Sequence, residues 1–104
     1  MWVFLSDAFL SIVANRDHSV SLLVRARLPH DITNVFPDAK ILIDSGADYR
    51  FRTILPRETV AKALSESTLR INYTNFKDSV PDRERHDAYL DVWSVMADLQ
   101  DCRH

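Results

Sequence analysis

The first half of the chain alternates apolar and polar positions in the manner of β-strands. Apolar runs cover residues 2–5 and 9–13, and a third alternating run covers residues 20–28. Ser6-Asp7 separates the first two runs, and residues 15–19 separate the second from the third. Both separators are rich in residues that favour turns. The pattern therefore predicts two consecutive β-hairpins that form an antiparallel meander.

A short helix and two further strands are predicted next. Apolar residues recur at helical spacing between Pro29, which suits the first position of a helix, and Pro37, which ends it. Residues 40–44 and 48–55 return to a strand pattern, with Gly46 in the turn between them. Gly46 is the chain's single glycine, so we expect it to hold a positive φ in this turn.

Two longer helices follow. Pro56 opens a helix that extends to about Ser67, and Thr74 has the position of an N-cap for a short turn that ends at Pro81. The longest helix is predicted over residues 82–101. One broad face of this helix is apolar, and we expect it to cover the apolar side of the sheet through Tyr89, Val92, Trp93 and Met96.

These elements predict an α+β fold with the order β-β-β-α-β-β-α-α. Hairpin connections dominate, so the expected architecture is an antiparallel sheet of about five strands with helices packed on one face. Residues 20–67 show the order β-α-β-β-α, which ferredoxin-like folds share. The length of 104 residues predicts a single domain over residues 1–104.

Composition excludes several classes of protein. One glycine is too few for a glycine-rich phosphate-binding loop, which needs several close together. The single cysteine, Cys102, excludes an internal disulfide, and no set of Cys and His residues has zinc-finger spacing. No apolar run approaches the 18 or so residues of a membrane span. We therefore expect a cytoplasmic protein with no cofactor, no structural metal and no membrane partner.

The candidate binding residues are arginines at alternate positions of two predicted strands. Strand alternation places all four on one face of the sheet, opposite Tyr49 and Phe51. Guanidinium groups bind oxyanions bidentately, so such a cluster could hold phosphates or an acidic protein surface. The alternative is a solvated sheet face on which they pair with Asp44 or Asp48. The four residues are Arg25, Arg27, Arg50 and Arg52.

A secondary candidate surface lies on the C-terminal helix, where Asp87, Asp91 and Asp98 fall at helical spacing. These carboxylates could dock on a basic partner. The alternative is a solvated stripe, since an amphipathic helix must place its charges somewhere. Pairs of acidic residues at this spacing supply too few ligands for a metal ion.

Five short segments are distinctive as a set: the Trp-x-Phe start at Trp2, Arg-Ala-Arg-Leu from Arg25, Ala-Asp-Tyr-Arg-Phe-Arg from Ala47, Asn-Phe-Lys from Asn75, and Val-Trp-Ser-Val-Met from Val92. Together they resemble a family of short, uncharacterised bacterial and phage-borne proteins. The resemblance spans nearly the whole chain and implies a compact stand-alone domain of prokaryotic or viral origin. It assigns no activity and no catalytic residue.

We favour a small non-enzymatic binding or regulatory protein that acts through macromolecular contact, with a protein of anionic surface as its partner. A phage-type inhibitor of a host defence system is one concrete version. One alternative is a small enzyme with a polar pocket between the sheet and the C-terminal helix. A nucleic-acid binder that uses the arginine face is the other, weakened by a shortage of stacking aromatics on that face. The apolar run from Trp2 also allows a homodimer. In the enzyme alternative, the polar groups that converge in the pocket would come from Arg50, Tyr73, Lys77 and His86.

Overall fold

The computed structural model describes residues 1–103 and contains the five-stranded antiparallel sheet that the alternation predicts. The α+β class and the order of elements are confirmed. The strands are β1 (Trp2–Leu5), β2 (Ala8–Ala14), β3 (Ser21–Ala26), β4 (Leu42–Ile43) and β5 (Phe51–Pro56). The helices are α1 (Asp31–Val35), α2 (Arg57–Leu69) and α3 (Arg83–Cys102), with a 3-10 turn at Lys77–Ser79.

The chain divides into two compact units, Met1–Asn72 and Tyr73–His104. The first unit holds the whole sheet with α1 and α2, and the second holds the 3-10 turn and α3. That residues 1–104 form one domain stays a prediction. Among the described residues, no helix combines the length and the apolar character that crossing a membrane requires.

The strand order in the sheet is β1-β2-β3-β5-β4. Strand β5 is antiparallel to both β3 and β4, so those two strands are parallel to each other with β5 between them. This is the split β-α-β arrangement of ferredoxin-like folds. The other neighbour of β3 is β2, which comes earlier in the chain. The sheet therefore combines the predicted N-terminal meander with the predicted β-α-β-β-α unit.

The hydrophobic core of the first unit lies between one face of the sheet and the helices α1 and α2. Alternate residues of β2 and β3 supply the sheet side of the core. The helices α1 and α2 supply the other side of the core. This agrees with the prediction that helices pack on one face of the sheet. The fully enclosed cluster consists of Leu10, Ile12, Val24, Ala26, Ile32, Phe36 and Val60.

Two local predictions in the β4–β5 connection are wrong. Strand β4 contains only Leu42–Ile43, and β5 begins at Phe51, because residues 44–50 form a turn and a bend. Gly46 does not have a positive φ. Instead, the side-chain oxygen of Asp44 accepts the Gly46 N–H at 3.1 Å, so the aspartate closes the turn and a left-handed residue is not needed.

The predicted burial of the α3 face is also wrong, except at Tyr89. Tyr89 is 7% exposed and stacks on Phe76 with ring centroids 5.6 Å apart. Trp93 is 56% exposed, Met96 55% and Val92 40%. Helical spacing places these side chains on one side of a helix, but it does not specify what covers that side.

Asp31 attaches α1 to the β1–β2 hairpin. Its side chain is buried, and one carboxylate oxygen accepts the backbone N–H of Phe9 at 3.0 Å. We expect Asp31→Ala to lower the free energy of unfolding by about 1–3 kcal/mol, because it leaves a buried donor without this acceptor. Urea denaturation measures the change. Asp38→Ala is the control, since Asp38 is exposed and should cost less than about 0.5 kcal/mol. Equal losses in the two variants would contradict the structural role of Asp31.

Candidate anion-binding site

One row of residues crosses all five strands on the sheet face opposite the core. The strand register aligns Trp2 with Ser11, Ser11 with Arg25, Arg25 with Arg52, and Arg52 with Leu42. Directly paired residues share a face, so these five side chains lie on the same side of the sheet. The two ends of the row are exposed, Trp2 by 67% and Leu42 by 54%, whereas Ser11 is 1% exposed where Arg25 bonds to it. We call this side of the sheet the open face.

Arg25 and Arg52 lie directly opposite each other at the centre of this row. Like charges in directly paired positions of an antiparallel ladder are destabilising. Within residues 1–103, neither guanidinium has a carboxylate partner at ion-pair distance. The alternative in which Asp44 or Asp48 neutralises the arginines is therefore not what the structure shows. Arg25 and Arg52 are thus directly paired positions of like charge without a carboxylate at ion-pair distance among the described residues.

Arg25 is held in place by neutral groups. Its Nη2 donates a hydrogen bond to the Ser11 hydroxyl at 2.7 Å, and its Cζ lies 4.7 Å from the centroid of the Tyr49 ring. The Nε atom of Arg25 is buried without a hydrogen-bond partner. A buried unpaired donor costs stability, so the fold holds this guanidinium at an energetic disadvantage.

Tyr49 contacts three arginines, two through its ring and one through its backbone carbonyl. The ring is 5% exposed, and the Cζ atoms of Arg27 and Arg25 lie 4.2 Å and 4.7 Å from its centroid. Arg27 Nη1 also donates to the Asp48 carbonyl at 3.1 Å, and Arg52 Nε donates to the Tyr49 carbonyl at 3.2 Å. The prediction that Tyr49 lies opposite the arginines is wrong, because strand alternation does not extend back beyond Phe51.

Three of the four predicted arginines thus converge: Arg25, Arg27 and Arg52. Arg50 stands apart from this cluster. It precedes β5, its side chain is exposed, and that side chain makes no hydrogen bond, ion pair or ring contact with the residues the structure describes. Its guanidinium is open to solvent.

An aromatic group lies beside the arginines on the open face. Phe9 is two residues from Ser11 on β2 and pairs directly with Phe4 on β1, with ring centroids 4.7 Å apart. Trp2 meets the Phe9 ring edge-on at 6.2 Å. Sequence reasoning missed this group, although Trp-x-Phe at residues 2–4 has the period of two that puts both rings on one face.

The secondary candidate surface on α3 is exposed. Asp91 and Asp98 are open to solvent, and Asp87 lies 3.4 Å from His86 Nδ1 through one carboxylate oxygen. In the described part of the chain, no three His, Cys, Asp or Glu residues are grouped so that they could hold a metal ion.

The four residues predicted for the pocket of an enzyme make different contacts in the structure. Lys77 Nζ lies 5.1 Å from the Trp93 ring, and the Tyr73 ring packs against Phe76. His86 lines a cleft with Val80, Pro81, Arg83 and Asp87, and neither Tyr73 nor Lys77 lines that cleft. Arg50 belongs to the first unit of the chain. The enzyme alternative stays a prediction.

Comparisons of the chain with protein-family models, with curated proteins and with solved structures found no match. The resemblance to short bacterial and phage-borne proteins therefore stays a prediction.

Proposed function

We propose that this protein is a non-enzymatic binding protein whose open face captures an anionic macromolecule. The observation that carries the proposal is the Arg25–Arg52 pair, which is aligned across β3 and β5 and has no carboxylate partner among residues 1–103. An anionic oxygen placed between the two guanidinium groups would replace their repulsion by two charge-assisted hydrogen bonds.

The surroundings of the pair support binding by contact. Ser11 and Tyr49 hold Arg25 in position through a hydrogen bond and a ring contact, so little side-chain freedom is lost when a ligand binds. Arg50 is exposed beside β5 and can extend the positive surface toward the edge of the sheet. An arrangement of fixed arginines on an open sheet suits recognition of a large surface better than enclosure of a small substrate.

The overall charge of −2 does not oppose this function, because the charges are unevenly divided. Residues 1–72 contain nine Lys and Arg against eight Asp and Glu, whereas residues 73–104 contain four against seven. The acidic excess lies outside the unit that carries the open face. The unit that carries the open face therefore has a formal net charge of +1, so its own net charge does not oppose the binding of an anion.

The test is binding to heparin, a polyanion with no aromatic groups, at two salt concentrations. We expect Arg25→Met combined with Arg52→Met to weaken binding at least tenfold and to reduce its salt dependence, since two charge contacts are lost. The free energy of unfolding should change by less than about 1 kcal/mol, because relief of like-charge repulsion offsets the lost hydrogen bonds.

The matched control is Arg16→Met combined with Arg70→Met, which removes the same charge from exposed positions outside the strands. It should change heparin affinity less than twofold. Equal loss in the two double variants would show that only net charge matters, and it would overturn the assignment of the site to Arg25 and Arg52. Unchanged affinity in the Arg25/Arg52 variant would overturn it as well.

A further inference from the structure

The open face carries the paired arginines and, beside them, an exposed aromatic platform formed by Trp2, Phe9 and Phe4. The proposed function gives a role to the arginines but none to the aromatic platform. We propose that its anionic partner is a single-stranded nucleic acid, with phosphates on Arg25 and Arg52 and a base stacked on Trp2. This inference rests on the proposed function, because it names the class of macromolecule that the same face captures.

The exposed tryptophan and the two arginines lie in one row across the sheet. Trp2, Arg25 and Arg52 belong to the register row that crosses the sheet, with Ser11 between Trp2 and Arg25. Adjacent strands are about 4.8 Å apart, so Trp2 lies roughly 10 Å from Arg25 and roughly 14 Å from Arg52 along the row. A single strand presents bases and phosphates in alternation, so one ligand can reach the aromatic ring and the arginines together.

The Trp2 ring is exposed and also packs against a second aromatic ring. Trp2 is 67% exposed, yet its ring contacts Phe9 edge-on, and Phe9 is itself packed on Phe4. A ring held in this way offers a flat surface to a base without first having to be ordered. Stacking of bases on aromatic side chains is the main non-ionic contribution to the binding of single strands.

A single strand differs from other polyanions because it combines phosphates with unstacked bases. A duplex keeps its bases stacked inside and displays only phosphates and groove edges, so it would leave Trp2 unused. An acidic polypeptide would satisfy the arginines through carboxylates but has no planar group repeating with each charge. The unstacked bases of a single strand match the aromatic platform, and its phosphates match the arginine pair.

The test uses the full chain with Trp93→Phe, which leaves Trp2 as the only tryptophan and changes an exposed position. The probe is a thymidine oligonucleotide of about 12 nucleotides, a length within the range that single-strand binding sites cover. We expect it to quench the Trp2 fluorescence on binding. An abasic oligonucleotide of the same length, with the same phosphates, should bind at least fivefold more weakly and produce no stacking quench.

Substitutions separate the aromatic from the ionic contribution. Trp2→Ala should reduce thymidine-oligonucleotide affinity to the abasic level and leave heparin affinity unchanged, whereas Arg25→Met with Arg52→Met should weaken both. Trp2→Phe keeps a ring at this position and should retain most of the affinity. Trp93→Ala is the control at the other tryptophan and should change neither affinity.

Three results would overturn the inference. Equal affinity for the thymidine and abasic oligonucleotides would show that the protein does not bind the bases. Tighter binding of polyglutamate than of the oligonucleotide would identify an acidic protein partner, and the proposed function would stand. Absence of binding to the oligonucleotide, to heparin and to polyglutamate at low salt would remove both the inference and the proposed function.

Discussion

Tyr89→Ala is expected to lower the free energy of unfolding of the Tyr73–His104 unit by about 3 kcal/mol or more. Tyr89 is 7% exposed and is the buried residue of α3. Its ring stacks on Phe76, and its hydroxyl accepts a hydrogen bond from Arg85 Nη1 at 3.3 Å. Truncation to alanine removes both contacts and leaves a cavity beside Phe76. Hydrogen exchange of the α3 backbone amides measures the loss, as faster exchange over residues 83–102.

Two control variants on the same helix isolate the cause. Tyr89→Phe keeps the ring and removes only the hydroxyl, so it should cost about 0.5–1.5 kcal/mol. Trp93→Ala removes a side chain that is 56% exposed and whose ring contact is Lys77 Nζ at 5.1 Å, so it should cost less than about 1 kcal/mol. A loss at Trp93 as large as that at Tyr89 would show that the apolar face of α3 is buried after all.

Leu10→Ala is expected to lower the free energy of unfolding of the Met1–Asn72 unit by about 3 kcal/mol, within the range for buried leucines. Leu10 is completely buried in the middle of β2 and belongs to the core cluster with Ile32 and Val60. Since a domain of this size has a total stability of about 5–15 kcal/mol, the loss is a large part of it. Urea denaturation of the Trp93→Phe protein measures it, because Trp2 then reports on the sheet.

Ile54→Ala is the matched control for Leu10→Ala. Ile54 also lies in a strand of the sheet, but its side chain is 50% exposed and shares the open face with Arg52. We expect a loss of less than about 1 kcal/mol, since truncation there leaves no enclosed cavity. If the two substitutions cost the same, the core does not lie on the helix-covered face of the sheet.

The strands and helices of this fold could be predicted where residues close in sequence determine the local structure. Alternation specifies the hairpins of residues 2–26, and Pro56 and Asp82 mark the starts of α2 and α3. Asp82 does so directly, because its side chain accepts the Arg85 backbone N–H at 2.9 Å. The β4–β5 connection could not be predicted in the same way. There the Asp44 side chain closes the turn and β5 begins later than the alternation suggests.

The candidate site was predictable in part. Alternation alone puts Arg25 on one face of β3 and Arg52 on one face of β5. That the two residues are directly opposite depends on strand register, which is decided by how the hydrophobic face packs. The role of Tyr49 depends on a bend before β5, and the contribution of Trp2 and Phe9 depends on β1 pairing with β2 on the same sheet.

The sequence by itself determined the class of fold, the order of the strands and helices, and the placement of Arg25 and Arg52 on two strands, because each follows from the period of neighbouring residues. Only the tertiary structure decided that Arg25 and Arg52 are directly paired with no carboxylate at ion-pair distance among residues 1–103, that the Tyr49 ring contacts two guanidinium groups, and that Trp93 is exposed while Tyr89 is buried. The physical reason is that charge balance and burial depend on residues distant in the chain, and periodicity specifies the direction of a side chain but not its neighbour.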